Sequence, residues 1–217
     1  MLEKYVAQKF QSDTSLEISR DLLYAHKKRR TIRQFSQVAP PREVIENAIS
    51  IAASAPSGAN RQPWHFSLIQ KPESKRTIRT LAEKEELDFY KLKPNKQWVE
   101  DLKHLHTNEI KSFITEAPYL ISIFYRHIDR EGDGFKKNYY AKESVGIATG
   151  MLISALHLSG LSTLTYTPKR MQFLTEFCQR PSDERPFLLL AVGLPKEDVE
   201  VPQISKKSLY DILSIWG

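Results

Sequence analysis

The sequence predicts an α+β domain. Three observations carry this expectation. Helical and strand-like stretches alternate along the chain without the regular spacing of a βαβ repeat. Of the 217 residues, 41% are hydrophobic and 27% charged, a balance that supports one packed core rather than a disordered chain. The eight glycines, at positions 58, 132, 134, 146, 150, 160, 193 and 217, form no G-x-G-x-x-G turn, which argues against a Rossmann dinucleotide site. The length fits a single domain spanning residues 1–217.

The elements follow from periodicity. Residues 15–28 place Leu16, Ile18, Leu22 and Leu23 at helical spacing. Pro40 and Pro41 open a second helix, because proline is tolerated in a first turn. Val44, Ile45, Ala48, Ile49 and Ala52 give that helix one apolar face, and Ala55-Pro56-Ser57-Gly58 stops it. Residues 65–70 read as a strand. Residues 73–92 read as a long charged helix closed by Lys93-Pro94, and residues 96–113 as another helix. The continuous apolar run at 119–125 predicts a central strand. Residues 139–159 form a helix rich in Ala, Gly and Ser, capped by Gly160. Two further strands are expected at 162–166 and 187–192. The segment 195–217 has two prolines, Lys206-Lys207 and a terminal apolar pattern, so it wraps its own domain or embraces a second subunit.

Several function classes are disfavoured. One cysteine, Cys178, rules out an internal disulfide and a zinc site needing two thiolates. The most apolar stretch, 145–158, falls short of a membrane span and the N-terminus lacks a signal-peptide core; a soluble cytoplasmic protein without a membrane anchor is expected. The net charge of +6 is scattered apart from His26-Lys27-Lys28-Arg29-Arg30, and no nucleic-acid reading motif accompanies that cluster. No P-loop and no G-x-S-x-G elbow occur. His104 and His106 fall on different faces of a helix. The Asp129–Gly134 turn imitates the start of an EF-hand, but its twelfth position is Tyr140 where a bidentate Glu is required. No metal is expected.

What remains suits anions and zwitterions. Arg29, Arg30 and Arg33 lie within five residues, with Thr31 between them, and guanidinium forks match phosphate oxygens; ion pairing on a solvated surface is the bland alternative. The loop from Ala55 to Trp64 exposes backbone N–H groups, and Gly58 permits close approach of a ligand. Glu86 and Tyr90 are four apart on one helical face, and Lys111 follows in the next helix. A carboxylate, a phenol and an ammonium together can hold an amino acid, although most Glu and Lys residues on charged helices simply face water.

These pieces resemble the nitroreductase flavoprotein superfamily. Arg29-Arg30-Thr31-Ile32-Arg33 is similar to its basic opening motif, and the Ala55–Trp64 loop to its A-P-S-G-x-N-x-Q-P-W loop. The resemblance continues through the 143–160 helix, Val192-Gly193-Leu194-Pro195 and Lys206-Lys207-Ser208-Leu209. The insertion at about 83–111 resembles that of the iodotyrosine deiodinase branch. It carries E-x-x-x-Y at Glu86 and Tyr90, Trp98-Val99-x-Asp101-Leu102-Lys103, and Thr107-Asn108-x-Ile110-Lys111. Thr165-Tyr166-Thr167-Pro168 matches the T-x-T-P turn of that branch.

The resemblance implies a nitroreductase-like fold with a mixed central sheet, an FMN cofactor, and an intertwined homodimer. It implies a lid at about 83–111 and a dimer-embracing tail at about 195–217. Arg29, Arg30, Thr31, Arg33, Pro56, Ser57, Gly58, Thr165, Tyr166, Thr167 and Lys206 would bind FMN, the Ser57 loop acting from the other subunit. Lys206 stands where the vertebrate members have arginine, a point charge without the fork. Ala59, Glu86, Tyr90 and Lys111 would bind a halotyrosine, 3-iodo-L-tyrosine, 3,5-diiodo-L-tyrosine or a bromo or chloro analogue. Glu86 would accept from the ammonium, Lys111 donate to the carboxylate, and the Ala59 N–H donate to the phenolate. Thr167 is the expected catalytic residue, its hydroxyl on flavin N5 favouring one-electron steps. The implied activity is reductive dehalogenation to tyrosine and halide. Electrons would come from NAD(P)H, directly or through a separate reductase. An NAD(P)H-dependent nitroreductase and a non-catalytic flavin or tyrosine-derivative binding protein are the alternatives.

Overall fold

The computed structural model describes residues 3–7, 9–92, 96–105, 107–131 and 134–217. Its centre is the apolar run singled out above. Strand β2 (Tyr119–Arg126) is buried on both faces over its first six residues. Side chains alternate along a strand, so β2 serves two cores. Leu120 and Phe124 enter one with Ile78, Ala82, Phe113, Ile114, Phe173 and Leu174. Tyr119, Ile121 and Ile123 enter the other with Ile45, Ala48, Ala52, Val145, Leu152 and Leu156.

Those partners come from helices on opposite sides of one sheet. Helix α2 (Arg42–Ala53) and helix α6 (Ala141–Leu158) cover one face, and α3 (Pro72–Leu87), α5 (Phe113–Glu116) and α7 (Gln172–Phe177) cover the other. The sheet has the strand order β1-β2-β6-β5, with β1 (Trp64–Ile69), β5 (Ser162–Tyr166) and β6 (Glu184–Gly193). Neighbouring strands pair antiparallel throughout, Trp64 opposite Tyr125 and Thr163 opposite Val192. The mixed sheet expected from the sequence is thus antiparallel within its four described strands. Among the described residues, parallel pairing is confined to one bridge, Thr31 with Thr163, where Ile32 N donates to Thr163 O at 3.2 Å. That bridge brings the arginine segment, which follows α1 (Ser12–Lys28), to the edge of β5.

Other boundaries differ for local reasons. The long charged helix ends at Leu87 and widens into a π turn, Asp88–Leu92. The expected 96–113 helix is shorter. Helix α4 (Lys96–Leu102) and a 3-10 turn, Lys103–Leu105, are followed by non-helical chain. There the Asn108 side-chain oxygen accepts from Ile110 N at 2.9 Å, an Asx turn competing with helix. Helix α6 begins at Ala141 because Tyr140 is left-handed, φ 54°. Gly160 does end that helix, at φ +81°, and Leu161 N donates to Leu156 O at 2.9 Å. Helix α7 and the hairpin β3 (Ile128–Glu131) with β4 (Gly134–Lys137) were not anticipated; each is too short to leave a period. Lys93-Pro94, His106 and the centre of the acidic turn, Gly132-Asp133, lie outside the described residues.

After β6 the chain first follows the body. Pro195 bridges Phe35, Lys196 N donates to Gln34 O at 3.0 Å, and Val199 and Val201 pack on the core. From residue 203 onward every residue is exposed. Among the described residues, no helix is long and apolar enough to cross a membrane and no cluster of three or more His, Cys, Asp or Glu could hold a metal.

Candidate active site

A cavity of about 500 Å³ lies between the end of α3, its π turn, the chain from α4 to α5, and the end of β5. Each wall contributes chemistry. Helix α3 supplies Glu86 and the π turn supplies Phe89 and Tyr90; π turns recur at functional sites. The non-helical stretch supplies Thr107, Asn108 and Lys111, and β5 with its following turn supplies Thr165, Tyr166, Thr167 and Pro168.

Glu86 Oε2 and Lys111 Nζ are 3.0 Å apart, each side chain only 8% exposed. Tyr166 Oη donates to Glu86 Oε1 at 2.8 Å. Lys111 Nζ also donates to Asn108 O, and its backbone N donates to Glu83 Oε1 at 2.8 Å. A buried ion pair stabilises little by itself, since desolvation opposes its Coulomb attraction. Its placement on a cavity wall leaves both charges within reach of a ligand in that cavity.

Burial lowers the pKa of Lys111, and the Glu86 carboxylate pushes it back up. Burial and Glu86 raise Tyr166 far above an ordinary phenol, so it remains a donor. Burial raises Tyr90 as well, opposed by the hydrogen bond with Thr107 at 2.9 Å. Aromatic rings complete the enclosure. Phe89 meets Tyr90 and Trp98 edge-on at 4.9 and 5.1 Å, and Lys111 Nζ sits 5.2 Å from the Tyr90 ring centroid.

A smaller hollow of about 210 Å³ lies beside it, lined by Lys28, Arg29, Arg30, Ser162 and Thr163 among others. The two hollows follow one another along β5, residues 161–163 lining the smaller and 164–169 the larger. The arginine cluster is therefore divided. Arg29 and Arg30 line the smaller hollow, where Arg30 also donates to Pro202 O, while Arg33 lines the larger, its pKa lowered by burial. Thr31 holds the bridge between them. Cations and hydroxyls lining the smaller hollow, and Thr165 and Thr167 lining the larger, suit the phosphate and the ring of FMN.

Glu86, Tyr90 and Lys111 are thus brought together as the sequence suggested, with Arg33, Thr165 and Thr167 at the same cavity. Tyr166 lies among them, but its hydroxyl reaches Glu86. Period-two alternation shows this separation: Thr165 and Thr167 are exposed, Tyr166 is buried. Pro56, Ser57, Gly58 and Ala59 do not line either hollow, and Lys206 stands in the exposed tail. The Ser57 loop is nevertheless a specialised turn. Ala59, Asn60 and Gln62 all have positive φ, 49°, 53° and 49°, each costing on the order of 1 kcal/mol. Ser57 Oγ accepts from Gln62 N at 2.9 Å, and a Cβ on Gly58 would stand 3.0 Å from Tyr139 O. Strain of this kind clusters at ligand clamps. Sequence reasoning missed the roles of Glu83, Asn108 and the Tyr166 hydroxyl; the alternation around Tyr166 was the available signal.

Residues 26–194 match the family described as "Nitroreductase family", and the chain belongs to that family. Within it, the iodotyrosine deiodinase of Haliscomenobacter hydrossis is 43% identical over 213 residues, covering 98% of this chain and 96% of that protein. The iodotyrosine deiodinase of Drosophila melanogaster is 42% identical over 85% of this chain, which spans 66% of that longer protein. Among solved structures, oxidized iodotyrosine deiodinase bound to FMN and 3-iodo-L-tyrosine superposes with a TM-score of 0.72 at 31% identity, covering 87% of this chain and 98% of that one. A nitroreductase with bound FMN from Bacteroides fragilis NCTC 9343 shares the fold, with a TM-score of 0.66 at 16% identity over 91% of this chain and 99% of that one.

Proposed function

We propose that this protein is an FMN-dependent reductive dehalogenase that converts 3-halotyrosines to tyrosine and halide. The observation that carries this reading is the buried Glu86–Lys111 pair beside Tyr90 in a cavity whose other wall presents Thr165 and Thr167. A zwitterion matches that pair charge for charge: its ammonium replaces Lys111 on Glu86, and its carboxylate engages the displaced Lys111. The halogenated ring then extends toward the threonine wall. A halogen ortho to the hydroxyl lowers the phenol pKa from about 10, so the ring is presented readily as phenolate, and the Ala59 N–H is the donor assigned to it.

Bound FMN supplies two electrons which, with one proton, replace the carbon–halogen bond by carbon–hydrogen and release halide. Arg29, Arg30 and Thr31 would hold its phosphate end, Arg33 and Thr165 its ring edge, and Thr167 would offer a hydroxyl to the ring. Residues 83–111 act as a lid that excludes water and aligns the ring.

The complete site belongs to a homodimer. Two features support this. The loop carrying Pro56, Ser57, Gly58 and Ala59 lies away from the cavity of its own chain. Helix α1 has no buried residue, and Leu23 and Trp216 are 56% and 94% exposed, apolar side chains that a second copy would cover. A second copy covering these surfaces would bring its loop and Lys206 to the site. NAD(P)H, directly or through a separate reductase, is the electron source, and the cytoplasm the expected compartment.

The test is anaerobic. Reduced, FMN-loaded protein mixed with 3-iodo-L-tyrosine is followed by flavin absorbance and tyrosine release. Flavin oxidation matched one to one by tyrosine and iodide is expected. No reaction beyond buffer controls would refute the reading; rapid oxidation of NAD(P)H coupled to a nitroaromatic alone would identify a nitroreductase instead.

A further inference from the structure

The Tyr166 hydroxyl is committed to Glu86 rather than to the side on which Thr165 and Thr167 are exposed. It lies on the buried side of the end of β5, braced edge-on by Phe113 with ring centroids 5.5 Å apart. Its neighbours Thr165 and Thr167 turn the other way. Its hydrogen bond with Glu86 joins residues 80 apart in sequence. Glu83, one turn earlier on α3, fixes the backbone of Lys111 and is itself tied to Arg79 Nε at 2.7 Å.

We infer that Tyr166 is a specificity-determining positioning residue: it holds Glu86 Oε1 so that Oε2 alone is presented to the substrate's ammonium. This rests on the dehalogenase reading above. Without a ligand both oxygens of Glu86 are engaged, Oε1 by Tyr166 and Oε2 by Lys111. An entering amino acid exchanges partners without leaving a buried charge unpaired. A ligand with only an ammonium leaves Lys111 uncompensated, and one with only a carboxylate leaves Glu86 so; both are costly in a buried site. A halophenol, which carries neither ammonium nor carboxylate, leaves the Glu86–Lys111 pair as it stands. Removing the Tyr166 hydroxyl frees Glu86 to turn both oxygens to Lys111. The empty pair tightens and competes with the zwitterion, but ligands without an ammonium and a carboxylate do not sense the change.

The experiment compares FMN-loaded wild type with Tyr166→Phe, which keeps the ring and removes one oxygen. Binding of 3-iodo-L-tyrosine and of 2-iodophenol is titrated by quenching of flavin fluorescence, with Glu86→Gln in parallel. Tyr166→Phe is expected to retain flavin, weaken iodotyrosine about tenfold (about 1.4 kcal/mol) and leave iodophenol within twofold. Unchanged iodotyrosine affinity would overturn the proposal. So would equal weakening of both ligands or loss of flavin, because each assigns Tyr166 to packing. If Glu86→Gln also leaves iodotyrosine affinity unchanged, the zwitterion site itself fails. If Glu86→Gln weakens it and Tyr166→Phe does not, only the role of Tyr166 is lost.

Discussion

Lys111 and Glu86 stand 3.0 Å apart, with Tyr166 and Asn108 satisfying most of what remains on each. The value of such a pair lies in being exchangeable. Its desolvation cost is met by the fold, so a ligand carrying both charges replaces one set of contacts by an equal set. Truncating one partner has a sharper effect than the pair's own contribution to stability, because it strands a buried charge. Lys111→Met is therefore expected to weaken iodotyrosine by at least tenfold while flavin content stays at the wild-type level. Flavin fluorescence titration reads the first and the absorbance ratio of flavin to protein the second. Parallel loss of both would place Lys111 in the framework of the fold.

At the scale of elements, the position of Tyr166 depends on strand register. A slip of one residue in β5 would exchange Tyr166 with its threonine neighbours and reverse both faces. Register passes from β2 through β6 to β5, and beyond a bulge between Ile123 and Phe124 the far end of the β2–β6 pairing is tied by charge. Arg126, opposite Glu184, donates to its Oε1 at 3.0 Å, and Arg180 donates to both carboxylate oxygens at 2.7 and 3.0 Å. Burial alone would raise the Glu184 pKa, but the hydrogen bonds from Arg180 and Arg126 prevail and lower it. A carboxylate depressed in the folded state adds stability above its unfolded pKa and loses it as pH falls through the folded value. Glu184→Gln is expected to cost about 2 kcal/mol at pH 7. The difference from wild type should shrink toward zero below the ordinary carboxylate range, about 4.3. Urea midpoints measured at several pH values check this; a difference constant with pH would exclude the carboxylate as its source.

At the scale of the whole molecule, apolar surface and a strained loop remain uncovered in the single chain. The α1 face and the end of the tail expose Leu16, Leu22, Leu23, Leu209, Ile215 and Trp216, while the strained Ser57 loop addresses neither hollow of its own chain. The homodimer proposed above accounts for both, a second copy covering the apolar surface and completing the site. Deleting residues 203–217 removes nothing from either core. The far-ultraviolet circular dichroism is therefore expected to be close to wild type, while sedimentation shows a shift toward monomer and flavin affinity falls. A deletion variant that remains dimeric with full flavin would sink the embracing role of the tail.

Some of this was legible in the residues. The strand at 119–125, the α2 face and the Gly160 stop came from local periodicity and backbone preference, which act over a few residues. Glu86 and Tyr90 shared a helical face by spacing alone. The α7 helix and the β3–β4 hairpin left no such trace, since elements of four to six residues are fixed by their neighbours. The break before Lys111 was equally hidden, because it depends on Asn108 competing with the helix and on Glu83 holding Lys111 from another element.

Sequence alone determined the α+β character, the cationic segment at 29–33 and the kinds of groups available for an amino acid and a phosphate. Only the tertiary structure decided which of them meet: that Arg33 parts from Arg29 and Arg30, that Lys111 reaches Glu86, and that Tyr166 turns from the threonine wall to hold a carboxylate 80 residues away. The physical reason is range. Propensity and periodicity are properties of neighbouring residues, whereas an ion pair and its bracing hydrogen bond are set by sheet order and register, which depend on distant strands meeting in one core.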